Sequence, residues 1–218
     1  MRAREQLTAE LHDLVASHYY REDFELAASA RAWHDQLPAE DSALLRDIVL
    51  ERLTREPTLV ELYLVQAMRL ADAAPALVNW LNREQAATPV SRALMAALPA
   101  GAGDAAYRAV ERFVDSDQEW EALRALGRLD FPRTRSRLLS AARRDSHLDL
   151  ALHMLHDRRK ELGWPAFAAE TRTWFATCPP ADRARLQRVL EAKTDSFHPF
   201  PAGERVELLA WLKENPAS

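Results

Sequence analysis

Residues 117–129 read Asp117-Gln118-Glu119-Trp120-Glu121-Ala122-Leu123-Arg124-Ala125-Leu126-Gly127-Arg128-Leu129. Ala122, Leu123 and Leu126 recur at the three-and-four spacing of one helix face, and Glu121, Arg124 and Arg128 fall on the opposite stripe. Steps of 29 residues from this segment land on like residues: Val65, Leu94, Leu123 and Leu152 form one series, and Ala93, Ala122 and Ala151 another. A helix-start signal keeps nearly the same step, in Thr58-x-x-Glu61, Thr88-Pro89, Ser116-x-x-Glu119 and Ser146-x-x-Asp149. There a hydroxyl is placed to accept from an orphan backbone N–H, and an acid three residues on is placed to reach back toward the cap. Self-similarity at a fixed short step is the signature of helical hairpins stacked side by side.

The helix before each of these keeps the step too, since Leu81, Val110 and Leu139 are spaced by 29, as are Leu77 and Ala106. Periodicity and caps together predict helices near 4–19, 22–36, 40–55, 58–70, 73–85, 89–98, 104–115, 117–129, 132–144, 147–161, 164–177, 180–193 and 202–214. Paired, they give five hairpins over 40–70, 73–98, 104–129, 132–161 and 164–193. The reading is one continuous domain, 1–218: flanking helices over 1–37, hairpins over 38–193, and a connector with a last helix over 194–218. After about residue 162 the register drifts, as terminal repeats do. Many of the twelve prolines stand near predicted helix starts, where a missing N–H costs nothing.

With 218 residues, 48% of them hydrophobic, the chain can bury a substantial interior and is not expected to be disordered. Its single cysteine, Cys178, allows no intrachain disulfide, and Met1-Arg2-Ala3-Arg4-Glu5 lacks the apolar core of a secretory signal, so a cytoplasmic location is expected. The most apolar stretch, 59–70, is interrupted by Glu61, Gln66 and Arg69 and is too short to cross a bilayer. It reads as a buried helix, and no membrane partner is expected. Net charge is −4, which gives no general attraction to nucleic acid or anionic lipid. Its distribution is uneven: residues 1–130 carry 14 basic and 22 acidic side chains, a net of −8, and 131–193 carry 13 and 7, a net of +6. Twenty-six arginines against three lysines read as coding bias, from which no function is drawn.

The 117–129 segment, with its Ala-Leu-x-Ala-Leu-Gly core, resembles the second helix of bacterial HEAT-like repeats of the short-period type, and Ser91-Arg92-Ala93-Leu94-Met95-Ala96-Ala97-Leu98 is similar to it. The resemblance covers residues 57–160 well and the remainder by helical pattern. It implies an all-α, right-handed α-α superhelix, a HEAT-like solenoid of about five hairpins with flanking helices. It also implies that the second helices line a concave side available for binding. Arg92, Glu121, Arg124, Arg128, His153 and His156 are then the expected binding surface, with Gln66, Met95 and Leu150 in the same column.

Asp149, His153, His156 and Asp157 share helix spacing, and two imidazoles with a carboxylate suit zinc. The leucine stripe Leu148, Leu152, Leu155 and Leu162 instead places the histidines on a solvated face, so no metal and no cofactor are expected. Arg133, Arg137 and Arg144 form a basic patch with Arg158, Arg159 and Lys160 following, and nearby acids are at hand to pair with such runs. Cys178 stands before Pro179-Pro180 at a helix start, where a dipole lowers a thiol's pKa, although a packed cysteine is the commoner case. The six tryptophans read as packing residues. Helical-repeat DNA glycosylases share the expected architecture and place a tryptophan and an aspartate one turn apart; here Trp80 is followed by Glu84, a glutamate in place of the aspartate. Phe197-His198-Pro199-Phe200-Pro201 reads as an extended connector that seats the last helix.

The expected function is therefore a non-catalytic binding module or scaffold for a macromolecule, foremost a protein. The alternative is a nucleic-acid-binding protein or a DNA glycosylase-like enzyme of the helical-repeat type.

Overall fold

The computed structural model describes residues 2–16, 23–55, 57–84, 88–142, 148–191 and 201–215. Every regular element among these residues is helical. In chain order they are α1 Arg4–Ala16, α2 Asp23–Asp35, α3 Ala39–Leu53, α4 Leu59–Met68, α5 Ala74–Arg83, α6 Pro89–Ala97, α7 Gly103–Glu111, α8 Glu119–Leu129, α9 Phe131–Ala141, α10 Leu148–Leu162, α11 Trp164–Thr177, α12 Pro180–Glu191 and α13 Ala202–Glu214. Each begins within two residues of its expected start. A 3-10 turn at Ala71–Ala73, ahead of α5, was not anticipated. The cap signal Ser146-x-x-Asp149 and the connector residues 197–200 lie outside the described residues.

The chain divides into two compact units, Met1–Asp130 and Phe131–Ser218. The division falls where the charge balance changes sign.

In the first unit the helices form two rows. α2 packs on α4, α4 on α6 and α6 on α8, while α1 packs on α3 and α5 on α7, with the 3-10 turn touching both α3 and α5. Contacts of α3 with α4, α5 with α6 and α7 with α8 join the rows as hairpins. The series at 29-residue steps fills the space between them: Val65, Leu94 and Leu123 are buried, as are Ala93 and Ala122 from the second helices and Leu77, Leu81, Ala106 and Val110 from the first. Burial of each such leucine or valine contributes roughly 1.5–3 kcal/mol. α4 touches helices on several sides and is accordingly apolar nearly all round, with Leu59, Val60, Leu62, Leu64 and Val65 buried. α8 shows one buried stripe, Ala122, Leu123, Ala125 and Leu126, as its spacing predicts.

Helix ends carry the remaining order. Glu61 reaches back to accept from the Thr58 N–H at 2.8 Å, completing the capping box at the start of α4. Thr88 accepts from the Ser91 N–H at 3.0 Å, and the Thr88 N–H donates to Ser91 Oγ at 2.9 Å, so a serine takes the role expected of an acid. That serine is fully buried. Its hydroxyl donates to Gln118 Oε1 at 2.7 Å, and Gln118 Nε2 donates to the Thr88 carbonyl at 2.7 Å, which ties the start of α8 to the start of α6. The expected cap at Ser116 is displaced. α8 starts from Gln118, and Ser116 Oγ accepts from the Gln118 N–H at 3.1 Å within the preceding turn. α7 also stops at Glu111 rather than near 115, because the chain turns there and buries Phe113 and Val114.

The C-terminal ends are closed from outside. Trp80 Nε1 donates to the Leu53 carbonyl at the end of α3 at 2.6 Å. Arg112 donates to the carbonyls of Leu81 and Glu84 at the end of α5. Arg128 donates to the Met95 carbonyl in the last turn of α6 at 3.0 Å. Each donor comes from the following hairpin and satisfies carbonyls that the helix itself leaves open.

The second unit is joined differently. α12 packs against α9, α10 and α13, α10 against α9 and α11, and α11 against α13. Large rings fill its interior, with Phe131 edge-on to Trp174 at 6.2 Å and Phe175 edge-on to Trp211 at 5.9 Å. Arginine closes helix ends here too. Arg183 donates to the carbonyls of Ala176 and Cys178 at 3.0 and 3.1 Å, and Arg205 to those of Leu190 and Glu191 at 2.6 and 2.9 Å.

Arg112→Met removes the donor at the end of α5 and should lower stability by about 1–2 kcal/mol, read from the urea midpoint. Arg108→Met removes only an exposed pairing with Asp104 and should stay within about 0.5 kcal/mol of the parent. Equal losses in the two variants would show that charge, not carbonyl capping, is what Arg112 supplies.

Candidate functional site

The six expected surface residues divide between the two units, with Arg92, Glu121, Arg124 and Arg128 in the first and His153 and His156 in the second. In the first unit Arg92 on α6 and Glu121 on α8 are brought together, Nη1 lying 4.0 Å from Oε1, with Arg92 exposed and Glu121 half-buried. Such a pair contributes at most about 1 kcal/mol, so it shapes charge rather than stability. Arg124 is exposed one turn along, and among the described residues its guanidinium has no hydrogen bond or ion pair. Arg128 is exposed but carries the Met95 cap, so it serves the stack as well as any surface. Met95 and Leu150, placed in the same column by stepping along the sequence, are fully buried and leave it. Gln66 is half-buried, and its side-chain Nε2 is buried without a hydrogen-bond partner among the described residues.

The sequence reading passed over Arg31 on α2 and Arg69 after α4. With Gln66 and Arg128 they line a cavity of about 480 Å³, whose floor includes Val65 and Leu98. Among the described residues no acidic side chain lines it. The signal available in the sequence was Arg69 itself. It follows the last residue of α4 with φ 52°, a left-handed conformation that helix ends usually give to glycine.

In the second unit His153 is exposed and His156 is half-buried. Burial, and next the nearby Lys160 charge, push the His156 imidazole below its ordinary 6.5, so it is mainly neutral at pH 7 and brings no positive charge to a surface there. The side chain of Asp149 and the whole of Arg144 lie outside the described residues. Among the described residues no three His, Cys, Asp or Glu side chains are grouped to hold a metal. Arg133 and Arg137 are exposed one turn apart on α9. Arg158 and Arg159 of the basic run after them are paired. Arg158 donates to both carboxylate oxygens of Glu170, at 3.3 and 2.8 Å, and to Glu161 at 2.8 Å, and Arg159 makes a two-pronged contact with Glu204.

The constellations that suggested catalysis are occupied by packing. Cys178 is buried, and burial raises its thiol pKa, outweighing the nearby Arg183. The helix-start activation considered for it is thereby overturned. Trp80 spends its indole N–H on the Leu53 carbonyl and lies under Arg83, whose guanidinium carbon is 4.7 Å from the ring centre. The Glu84 carboxylate accepts from the Thr88 hydroxyl at 3.0 Å. No helix among the described residues is long and apolar enough to cross a membrane.

No family model, curated protein or solved structure matches the chain.

Two outcomes test these assignments. Cys178 should react with a disulfide reagent in the unfolded chain and be protected by folding; equal rates in both states would refute its burial. Because the folded His156 pKa is depressed, the unfolded chain takes up the proton first as pH falls. Stability is then fully present above 6.5 and declines below it until the folded value is passed. His156→Gln should flatten that part of the profile, and an unchanged slope would assign it to other groups.

Proposed function

We propose that the first unit is a non-catalytic binding module, a HEAT-like stack of hairpins that docks another protein along its second helices. The observation that carries this reading is the unbroken row α2, α4, α6 and α8, with Arg92 and Arg124 exposed and Glu121 half-buried on its last two members. A surface built on packed helices is ordered before a partner arrives, so association loses little conformational entropy. Adjacent charges of both signs suit a protein partner, where complementarity sets register and encounter rate. A right-handed superhelical arrangement, a bacterial short-period HEAT-like kinship and a cytoplasmic location belong to the same proposal.

The rival reading, a nucleic-acid-binding protein or helical-repeat glycosylase, draws less support. Its tryptophan and acid are spent on the Leu53 carbonyl and the Thr88 hydroxyl. Residues 1–130 carry a net of −8, against the phosphate neutralisation that holds a duplex.

Arg124→Glu reverses the charge of a side chain that bonds to nothing else described. It should leave stability within about 0.5 kcal/mol of the parent. It should also weaken retention of a protein partner about tenfold, roughly 1.4 kcal/mol. Undiminished retention by the variant would remove this face from the interface. Retention of DNA or RNA by the parent, falling steeply with salt, would favour the rival.

A further inference from the structure

We infer that the cavity at the C-terminal ends of α4 and α6 is an oxyanion site, taking a ligand that carries a carboxylate or phosphate on an apolar body. The inference goes beyond the docking surface and does not rest on it. Arg31 from α2, Arg69 after α4 and Arg128 from α8 line a space of about 480 Å³ that, among the described residues, no acidic side chain lines. Several other arginines of the unit are spent on partners: Arg46 on Asp72, Arg52 on Glu61, Arg55 on Glu51 and Arg112 on helix carbonyls. Among the described residues neither the Arg31 nor the Arg69 guanidinium has a hydrogen bond or ion pair. Gln66 adds a side-chain nitrogen that is buried without a hydrogen-bond partner, a donor left open in a protein that satisfies most of its buried polar groups.

The charge balance favours an anion. The ends of α4 and α6 contribute about half a negative charge each, against the full positive charges of Arg31 and Arg69. Arg128 is engaged with the Met95 carbonyl, while among the described residues Arg31 and Arg69 keep both charge and donors. A guanidinium presents two parallel N–H groups, the geometry that matches carboxylate and phosphate oxygens. The volume lies in the range of small-molecule sites and exceeds what a lone oxyanion fills. Val65 and Leu98, with the alanines beside them, offer the remainder to an aliphatic group.

Arg69 supplies an independent handle. It holds φ 52°, where glycine is the undemanding choice, so Arg69→Gly removes the guanidinium while easing the backbone.

The test uses octanoate, octyl phosphate and octanol as probes of the full-length protein, followed by backbone amide shifts and by thermal melting. Saturable shifts at Gln66, Arg69 and Leu98 with octanoate assign the head group as carboxylate, and with octyl phosphate as phosphate; octanol should leave these amides in place. Affinity should fall with added salt. Arg69→Gly should melt no lower than the parent and bind at least tenfold more weakly, and Arg31→Ala should weaken binding in the same direction. The inference is overturned if neither charged probe shifts these amides at about 1 mM. It is equally overturned if octanol binds as well as the charged probes, or if both variants bind like the parent. None of these outcomes depends on whether Arg124→Glu releases a protein partner, so the two readings fail separately.

Discussion

Every α-helix ends with about four carbonyls that its own ladder cannot pair, and in this chain a side chain from further along the sequence pairs many of them. Glycine is the usual device at such ends, yet the sequence has only five. Trp80 closes α3, Arg112 closes α5, Arg128 closes α6, Arg183 closes α11 and Arg205 closes α12. A guanidinium does this well because its planar fork reaches two or three carbonyls at once, whereas an ammonium is a point charge with mobile donors. The excess of arginine over lysine, read first as coding bias, therefore meets a structural demand at four of these five ends. In the first unit the consequence is a mutual dependence of hairpins. A helix keeps its end only while the next hairpin is in place, so the packing between rows and the capping between neighbours reinforce each other.

Helix positions were legible because each is announced locally: a hydroxyl or proline at the start, an apolar stripe along the length. What the sequence did not announce is how helices choose neighbours. The two rows of the first unit agree with the step of 29 residues. The contacts of α12 with α9, α10 and α13 do not extend that order; α12 buries Leu186, Val189 and Leu190 there, and large rings such as Phe131, Trp174 and Phe175 fill the space beside it. Phe113 and Val114 show the same limit on a small scale. Periodicity continued the helix through them, and their burial ended it.

The candidate surface was legible in part for a related reason. A heptad-like count separates the inward from the outward stripe of α8, and Glu121 and Arg124 stand where it places them. Carrying the count to other helices places Arg92 correctly and misplaces Met95 and Leu150, which are buried. Arg128 was read as surface alone because no sequence rule reports that a side chain folds back onto a carbonyl 33 positions earlier. Arg31 and Arg69 were invisible for the opposite reason, being far apart in sequence and joined only by the row that brings α2, α4 and α6 side by side. The two sites also differ in character. The face of α6 and α8 presents paired charges of both signs, and the cavity beside it presents one sign only.

The arginine caps also act as a ruler. A residue inserted within α8 ahead of Arg128 would swing the guanidinium by about 100° around the helix and off the Met95 carbonyl. Helix lengths in the stack are thus held to a fixed tally, and insertions are confined to the links. The link from α6 to α7 is the most permissive of them, with Gly101 and Gly103 at φ 78° and 83° and open space around both. Because Leu98, Pro99 and Ala100 at its start also border the arginine-lined cavity, length variation there would reshape the pocket while sparing the scaffold that holds it.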